Sequence, residues 1–358
     1  MVYFGCAVLL AVTFIDLKNS KLLGAAWILF VSAVAAFNTS IADRTSYYSM
    51  YTRIGRGSFI TERVEIGFRY LVKWGNAIGL EKETFFFIMF VIALSLFYIS
   101  FSRYVKRSNI IFLFYLLFPF GIDAAQIRTM LSSAMIIYAV WYLKEFSVKN
   151  IVRYLCIIIL ATLIHNSALF FAVLCVCYLV KDRWQFFLYN MIAVVICYII
   201  LSRSMLMDLA SKVIINSAGF SYISETTGSL RFYGYILCCL VLIGFYEYCR
   251  RCNRISNIEQ KKYLNMMYYI NIMSIWSSIF VYFNNNFTRL IRVFVILNYI
   301  LLQMFLENER ICIRVKFSKS IFYLAGILFC AALLIVTNSS NMDTTYGALL
   351  NGCELFSR

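Results

Sequence analysis

The chain has 358 residues, of which 62% are hydrophobic, 18% aromatic and 14% charged, and its formal net charge is +16. Soluble domains carry about 45–50% apolar and about 25% charged residues, so this balance excludes a water-soluble fold. A single proline, Pro119, and 15 glycines exclude collagen-like, proline-rich and disordered chains.

Twelve apolar runs reach or approach the about 20 residues that a helix needs to cross a bilayer. In chain order they fall at 2–15, 22–37, 85–102, 109–122, 126–143, 150–164, 166–180, 185–202, 231–248, 263–282, 290–306 and 319–336. They predict an all-α integral membrane protein: one polytopic helical bundle over 1–358, with about 12 transmembrane helices. The short pair beside His165 also fits one broken or re-entrant element, which leaves ten or eleven full spans as the other readings. The N-terminus lacks the basic stretch of a cleavable signal peptide, so the first run reads as its own insertion signal.

The basic residues set the orientation. The loop after the first run, and every second loop after it, hold 19 of the 33 Lys and Arg residues, all in short loops. Lys106, Arg107, Lys144, Arg183, Arg250 and Lys262 are among them. By the positive-inside rule this side is cytoplasmic. The opposite, outer side carries two long loops, 38–84 and 203–230. Loops of that length without a domain of their own are usually functional. The first contains a helical pattern from Glu62 to Leu80, with Ile66, Leu71, Trp74 and Ile78 apolar, which predicts an amphipathic helix on the membrane surface.

Because the Lys and Arg residues lie between apolar runs rather than in a basic block, the expected partners are membrane lipids and phosphates, not nucleic acid. The 12 cysteines are scattered through apolar runs, and the one C-x-x-C, Cys249 to Cys252, has no second pair. No metal site is expected.

Five groups of ionisable or polar residues gather on the outer side. Asp43, Tyr47 and Tyr51 are four apart and share a helix face, which suits sugar hydroxyls and equally an interfacial aromatic belt. Glu65, Arg69 and Lys73 repeat that spacing; Arg69 and Lys73 read as a salt ladder, while Glu65 opens an apolar stretch. Asp123, Gln126 and Arg128 stand at the entrance of a span beyond Pro119. An arginine there is a functional candidate whose rigid fork suits phosphate, against snorkelling to head groups. His165, the one histidine of the chain, sits with Asn166 and Ser167 at an outer turn and suits proton transfer near neutral pH; the plainer role is a satisfied core residue. Asn284, Asn285 and Asn286 precede Arg289 and Arg292, which are three apart and look like an anion clamp that Arg231 could join; head-group contact is the alternative. There is no P-loop, H-E-x-x-H or G-x-S-x-G pattern.

In this order and spacing the residues resemble the EpsG-like branch of Wzy-type polysaccharide polymerases. The resemblance rests on Asp43-x-x-x-Tyr47-x-x-x-Tyr51, Glu65-Ile-Gly67-Phe68, Arg128 at a span entrance, His165-Asn-Ser167-Ala-Leu and the late Arg289. It departs from the family where an Arg-Gln pair is common: Arg128 is followed by Thr129, and Gln126 precedes it. The resemblance implies a GT-C-like glycosyltransferase in the bacterial cytoplasmic (inner) membrane. It implies joining of undecaprenyl-pyrophosphate-linked oligosaccharide repeat units at the outer face, with no cofactor and with a chain-length regulator as a further partner. On that reading His165 is the first candidate for the catalytic base, with Asp43 and Glu65 as alternatives. Arg128, Arg289, Arg292 and Arg231 would hold the pyrophosphate, and Tyr47, Tyr51, Gln126 and Asn166 the sugars. Two rivals remain at this level: a lipid-linked glycan flippase, which should show internal repeats, and a membrane O-acyltransferase built on the lone histidine.

Overall fold

A computed structural model describes residues 12–13, 19–60, 64–175, 177, 182–200, 229–252, 258–283, 285–307, 319–338, 346–351 and 353. The predicted first run, apart from residues 12 and 13, lies outside the described residues, as does the loop 203–230 apart from its last two positions. Every regular element among the described residues is helical; the one β-contact is an isolated bridge between Asn38 and Cys353.

Helix α1 spans Lys21–Ala36 and starts at Ser20, whose side chain accepts from the Leu23 amide. The first outer loop then folds into two short helices, α2 (Arg44–Gly55) and α3 (Ile66–Ala77). Helix α4, Lys82–Ser102, has 21 residues and buries Phe85, Phe86, Phe90, Phe97 and Phe101. Three pieces follow: α5 (Ser108–Leu117), α6 (Phe120–Ala125) and α7 (Ile127–Val140). Helix α8, Val148–Ile164, ends at His165 and is followed by a 3₁₀ helix over Asn166–Cys175. The remaining long helices are α9 (Arg183–Ile200), α10 (Ser229–Cys252), α11 (Ile258–Phe283), α12 (Thr288–Leu306) and α13 (Lys319–Asn338), and a single turn, α14 (Ala348–Asn351), closes the described chain.

Five of these helices are long and apolar enough to cross a membrane, falling at Lys82–Ser102, Phe232–Arg251, Ile258–Tyr282, Thr288–Leu306 and Lys319–Thr337. The predicted runs 109–122 and 126–143 take a different form. Proline cannot donate a backbone hydrogen bond and pushes the preceding residue out of the helical region. Accordingly α5 stops at Leu117, Phe118 is extended (φ −158°, ψ 130°), and the chain turns through α6 before α7 begins. At about 1.5 Å per residue, α5 extends about 15 Å, half of a bilayer's hydrocarbon core of about 30 Å. The turn brings Asp123 and Gln126 into the bundle beside α12.

Helix α12 is the centre of the bundle, with every residue from Leu290 to Leu306 buried. It packs against α5, α7, α10 and α11. Asn298 and Asn271 exchange amide hydrogen bonds of 2.8 and 3.1 Å between α12 and α11, satisfying polar groups that lipid could not.

The two ends differ in charge chemistry, as the alternation of loops implies. At one end Lys144 pairs with Glu259, Lys262 with Glu145, and the Lys106 and Arg107 amides donate to Glu307. At the other lie Glu65, Asp123, Arg128, His165, Arg289 and Arg292.

Helix α3 shows why the outer loop is more than a surface helix. Its Phe68, Val72 and Gly75 are buried against the protein, whereas Ile66, Tyr70, Trp74 and Ile78 are exposed. It lies across α2 and α8. Gly67 makes the second contact feasible, since a Cβ there would lie 2.7 Å from the Leu163 carbonyl oxygen.

Candidate active site

The close approach at Gly67 places Glu65, at the N-terminus of α3, beside the end of α8. The Glu65 carboxylate is shared among three elements. One oxygen, Oε2, pairs with Nη1 of Arg128 at the start of α7. The other, Oε1, accepts from the Asn166 amide at 3.2 Å and lies 3.6 Å from Nδ1 of His165. On its far side Arg128 donates through Nε to the Tyr47 hydroxyl of α2 at 3.3 Å. Tyr47, Arg128, Glu65 and His165 thus form one chain of polar contacts, drawn from four elements.

His165 ends α8, its amide bonded to the Ala161 carbonyl at 2.9 Å. Its Nε2 lies 2.6 Å from Nη1 of Arg289, at the start of α12. A guanidinium has donors only, so Nε2 is an acceptor and the imidazole is neutral. Nδ1 faces the Ser167 backbone amide and hydroxyl, both at 3.3 Å, and the Glu65 carboxylate at 3.6 Å. Arg289 donates a second bond, from Nε to the Asn286 carbonyl, at 2.5 Å. Among the described residues no carboxylate lies within salt-bridge distance of Arg289, unlike Arg128 and Arg292.

One turn further along α12 is a second, deeper group. Arg292 pairs through Nη1 with Asp123 of α6, and its Nη2 donates to Gln126 at 2.7 Å. The Tyr115 hydroxyl of α5 donates to the other Asp123 oxygen at 3.0 Å. Both partners of this pair are almost fully buried, 4% and 1% exposed at their side chains. Arg292 Nε is buried with no hydrogen-bond partner. Buried ion pairs cost several kcal/mol per ion in desolvation, so a pair retained at this depth marks a site more readily than a stability device.

The remaining expected residues fall as follows. Tyr47 joins the cluster, but Tyr51 does not: its hydroxyl donates to the Leu80 carbonyl at 2.7 Å and its ring packs on Phe85. Tyr51 instead borders a separate groove shared with Arg56, Asn76 and Glu81. Asp43 precedes α2 in the left-handed region (φ 64°), exposed and without a capping bond, and its side chain reaches none of the cluster. Gln126 accepts from Arg292, and Asn166 contributes its backbone amide while its side chain is exposed. Arg231 has its backbone in α10, and its side chain lies outside the described residues. Arg69 donates to the Phe59 carbonyl at 2.9 Å and stays in its own loop.

Sequence reasoning missed two participants. Tyr115 lies inside an apolar run with no charge to mark it, and only the turn at Pro119 brings it over Asp123. Tyr346 lies against Gly121, where a Cβ would come within 2.4 Å of its ring, and its hydroxyl donates to the Leu117 carbonyl at 3.0 Å. The C-terminal segment therefore braces the turn that carries Asp123, a connection no local pattern announces.

Taken together, the cluster holds three guanidiniums, two carboxylates and one neutral imidazole, recessed in one end of an apolar bundle. Such an arrangement can bind an anion, orient a hydroxyl and accept its proton. A sequence model described as the EpsG family matches residues 21–349, nearly the whole chain and every described member of the cluster. No curated protein and no solved structure matches the chain.

Proposed function

The chain belongs to the EpsG family, and from that premise we propose that it is a polysaccharide polymerase, a GT-C-like glycosyltransferase of about twelve membrane-crossing helices. It joins oligosaccharide repeat units carried on undecaprenyl pyrophosphate at the outer face of the bacterial cytoplasmic membrane. The observation that carries this reading is the recessed cluster itself. It offers Arg289 without a carboxylate partner and a buried Arg292 Nε without a hydrogen-bond partner, beside a neutral histidine flanked by a carboxylate.

The chemistry needs two things from the protein. A pyrophosphate leaving group gathers negative charge, which fixed cations stabilise. An acceptor hydroxyl must lose a proton as its oxygen attacks. In the proposed reaction the acceptor oxygen bonds to the donor's anomeric carbon. The bond from that carbon to the pyrophosphate oxygen breaks, and its electron pair leaves with the lipid pyrophosphate. The hydroxyl proton passes to Nε2 of His165. The resulting imidazolium keeps its Nδ1 proton toward Glu65, in the manner of a base oriented by a carboxylate.

Arg289 occupies Nε2 in the present arrangement, so the base is masked. An arriving pyrophosphate is a stronger partner for the guanidinium than a neutral imidazole. Its binding would draw Arg289 away and free Nε2, coupling activation of the base to presence of the donor. Arg292 and Arg128 supply further positive charge, and Tyr47 and Gln126 line the approach for sugars. Glu65 becomes the orienting carboxylate rather than the base, and Asp43 has no part in the step.

The test is glycan banding of a deletion strain complemented by single variants. Loss of the ladder with one retained repeat unit supports a polymerase. Loss of all surface glycan would favour the flippase reading, and a normal ladder with altered acetylation would favour the acyltransferase.

A further inference from the structure

The opposite end of the bundle carries a charged cavity that takes no part in the proposed chemistry. It has a volume of about 210 Å³ and lies under the strap 103–107 that joins α4 to α5. Its two carboxylates are both committed. Glu307 accepts from the Lys106 and Arg107 amides at 2.8 and 2.7 Å and from Gln303 at 2.9 Å, which holds the strap in place. Glu259 pairs with Lys144 and, at 3.2 Å, with Lys262.

Two cations, Arg103 and Lys106, also line the cavity. The Arg103 guanidinium lies 4.1 Å from the Tyr138 ring centroid and 5.4 Å from that of Trp141. Those flat faces fix its plane, yet its Nη1 is buried with no hydrogen-bond partner. The Tyr104 hydroxyl is likewise buried and unpartnered, its ring held between Trp141 and Tyr263. Lys106 and Gln260 complete the lining. A buried donor left unpaired costs about 1–3 kcal/mol, more for a charged group, so an occupant that accepts hydrogen bonds is favoured. Neither a guanidinium nor an ammonium can accept, so Arg103 and Lys106 favour an anion over a cation. The volume suits one tetrahedral oxyanion with its waters.

We propose that this cavity is a phosphate-group site, independent of the outer cluster, in which Arg103, Tyr104 and Lys106 hold a phosphomonoester or phosphodiester on the basic side of the bundle. The group comes from one of two sources: an anionic phospholipid head at the interface, or a free phosphate compound in the adjoining solution. Either ligand would tie the strap to α4 and α7 and so link this end to the helix that carries Arg128.

The experiment uses the full-length protein in detergent and follows its thermal unfolding while a probe is titrated. The probes are inorganic phosphate, micelles containing phosphatidylglycerol, and micelles containing phosphatidylcholine as the uncharged control. A saturable rise with inorganic phosphate assigns the soluble source, and one with phosphatidylglycerol alone assigns the lipid. Arg103→Gln should weaken that binding by about 10- to 100-fold, the worth of one hydrogen bond to a charged group. Equal stabilisation by phosphatidylcholine, no saturable effect from either anionic probe, or unchanged affinity in Arg103→Gln overturns the proposal. Should Arg103→Gln fail to fold, Arg103→Lys and Lys106→Gln take its place, and unchanged affinity in both overturns it equally.

Discussion

Nη1 of Arg289 lies 2.6 Å from Nε2 of His165, across 124 positions of sequence. The contact joins the start of α12 to the end of α8 and brings a cation that has no carboxylate partner among the described residues against the most basic neutral side chain of the site. Because the guanidinium can only donate, it makes Nε2 an acceptor and occupies it. Both residues should therefore be sensitive to substitution, in different ways.

Replacing Arg289 by Ala removes the cation that would meet the leaving group. Polymerisation rate should fall by about 10²- to 10³-fold, the usual cost of losing one donor aimed at developing negative charge. Arg289→Lys keeps the charge and loses the fork, so its rate should lie between the two. Turnover of purified lipid-linked repeat units by each variant measures this, and a near-normal Arg289→Ala enzyme would remove Arg289 from the chemistry.

His165 and Glu65 are predicted to act as a unit. His165→Ala and Glu65→Gln should each shorten the polymer, and the double variant should be scarcely worse than the poorer single one, because residues in one functional chain are not additive. Glu65 also pairs with Arg128, which suggests a control. If Glu65 served only that ion pair, the exchange Glu65→Arg with Arg128→Glu would restore the ladder. The expected outcome is that it does not.

Asp123 and Arg292 make a separable prediction about stability. Asp123→Ala leaves a buried guanidinium unpaired and should cost about 3–5 kcal/mol. Converting the pair to Asp123→Ala with Arg292→Met should regain most of that loss, since apolar replacements for a buried pair are often neutral or better. Activity should stay low, because Arg292 no longer meets the substrate. Thermal unfolding in detergent and polymer length in cells read the two effects apart; restored activity in the double variant would make the pair purely structural.

Gly67 tests how the site is positioned without touching its chemistry. A Cβ there would meet the Leu163 carbonyl at 2.7 Å, and backbone cannot yield as a flexible side-chain tip can. Gly67→Ala should cost about 1–3 kcal/mol, as overpacking does. It should also lower polymer yield by moving Glu65, two residues away. Unchanged stability together with a normal ladder would show that α3 has room the packing does not suggest.

The sequence by itself determined the membrane environment of this protein and which charges lie beside its apolar runs. Hydropathy is a local property that adds along the chain, so apolar runs and short basic loops could be read directly. The residues that gather at the outer end, including Glu65, Arg128, His165 and Arg289, were legible because charges beside an apolar run are rare enough to stand out. Their pairing was not legible. Glu65 meets Arg128 across 63 positions and Asp123 meets Arg292 across 169, and no periodicity carries information over such intervals. The same holds for what the structure set apart. Asp43 shares the spacing of Tyr47 but not its contacts, and Tyr51 gives its hydroxyl to Leu80. Tertiary packing also decided the burial of the site, because the chain turns at Pro119 after α5 and sets Asp123 inside the bundle. Which arginine is committed to a carboxylate and which to the histidine depends on three-dimensional neighbours, and that distinction turns a list of charges into a candidate mechanism.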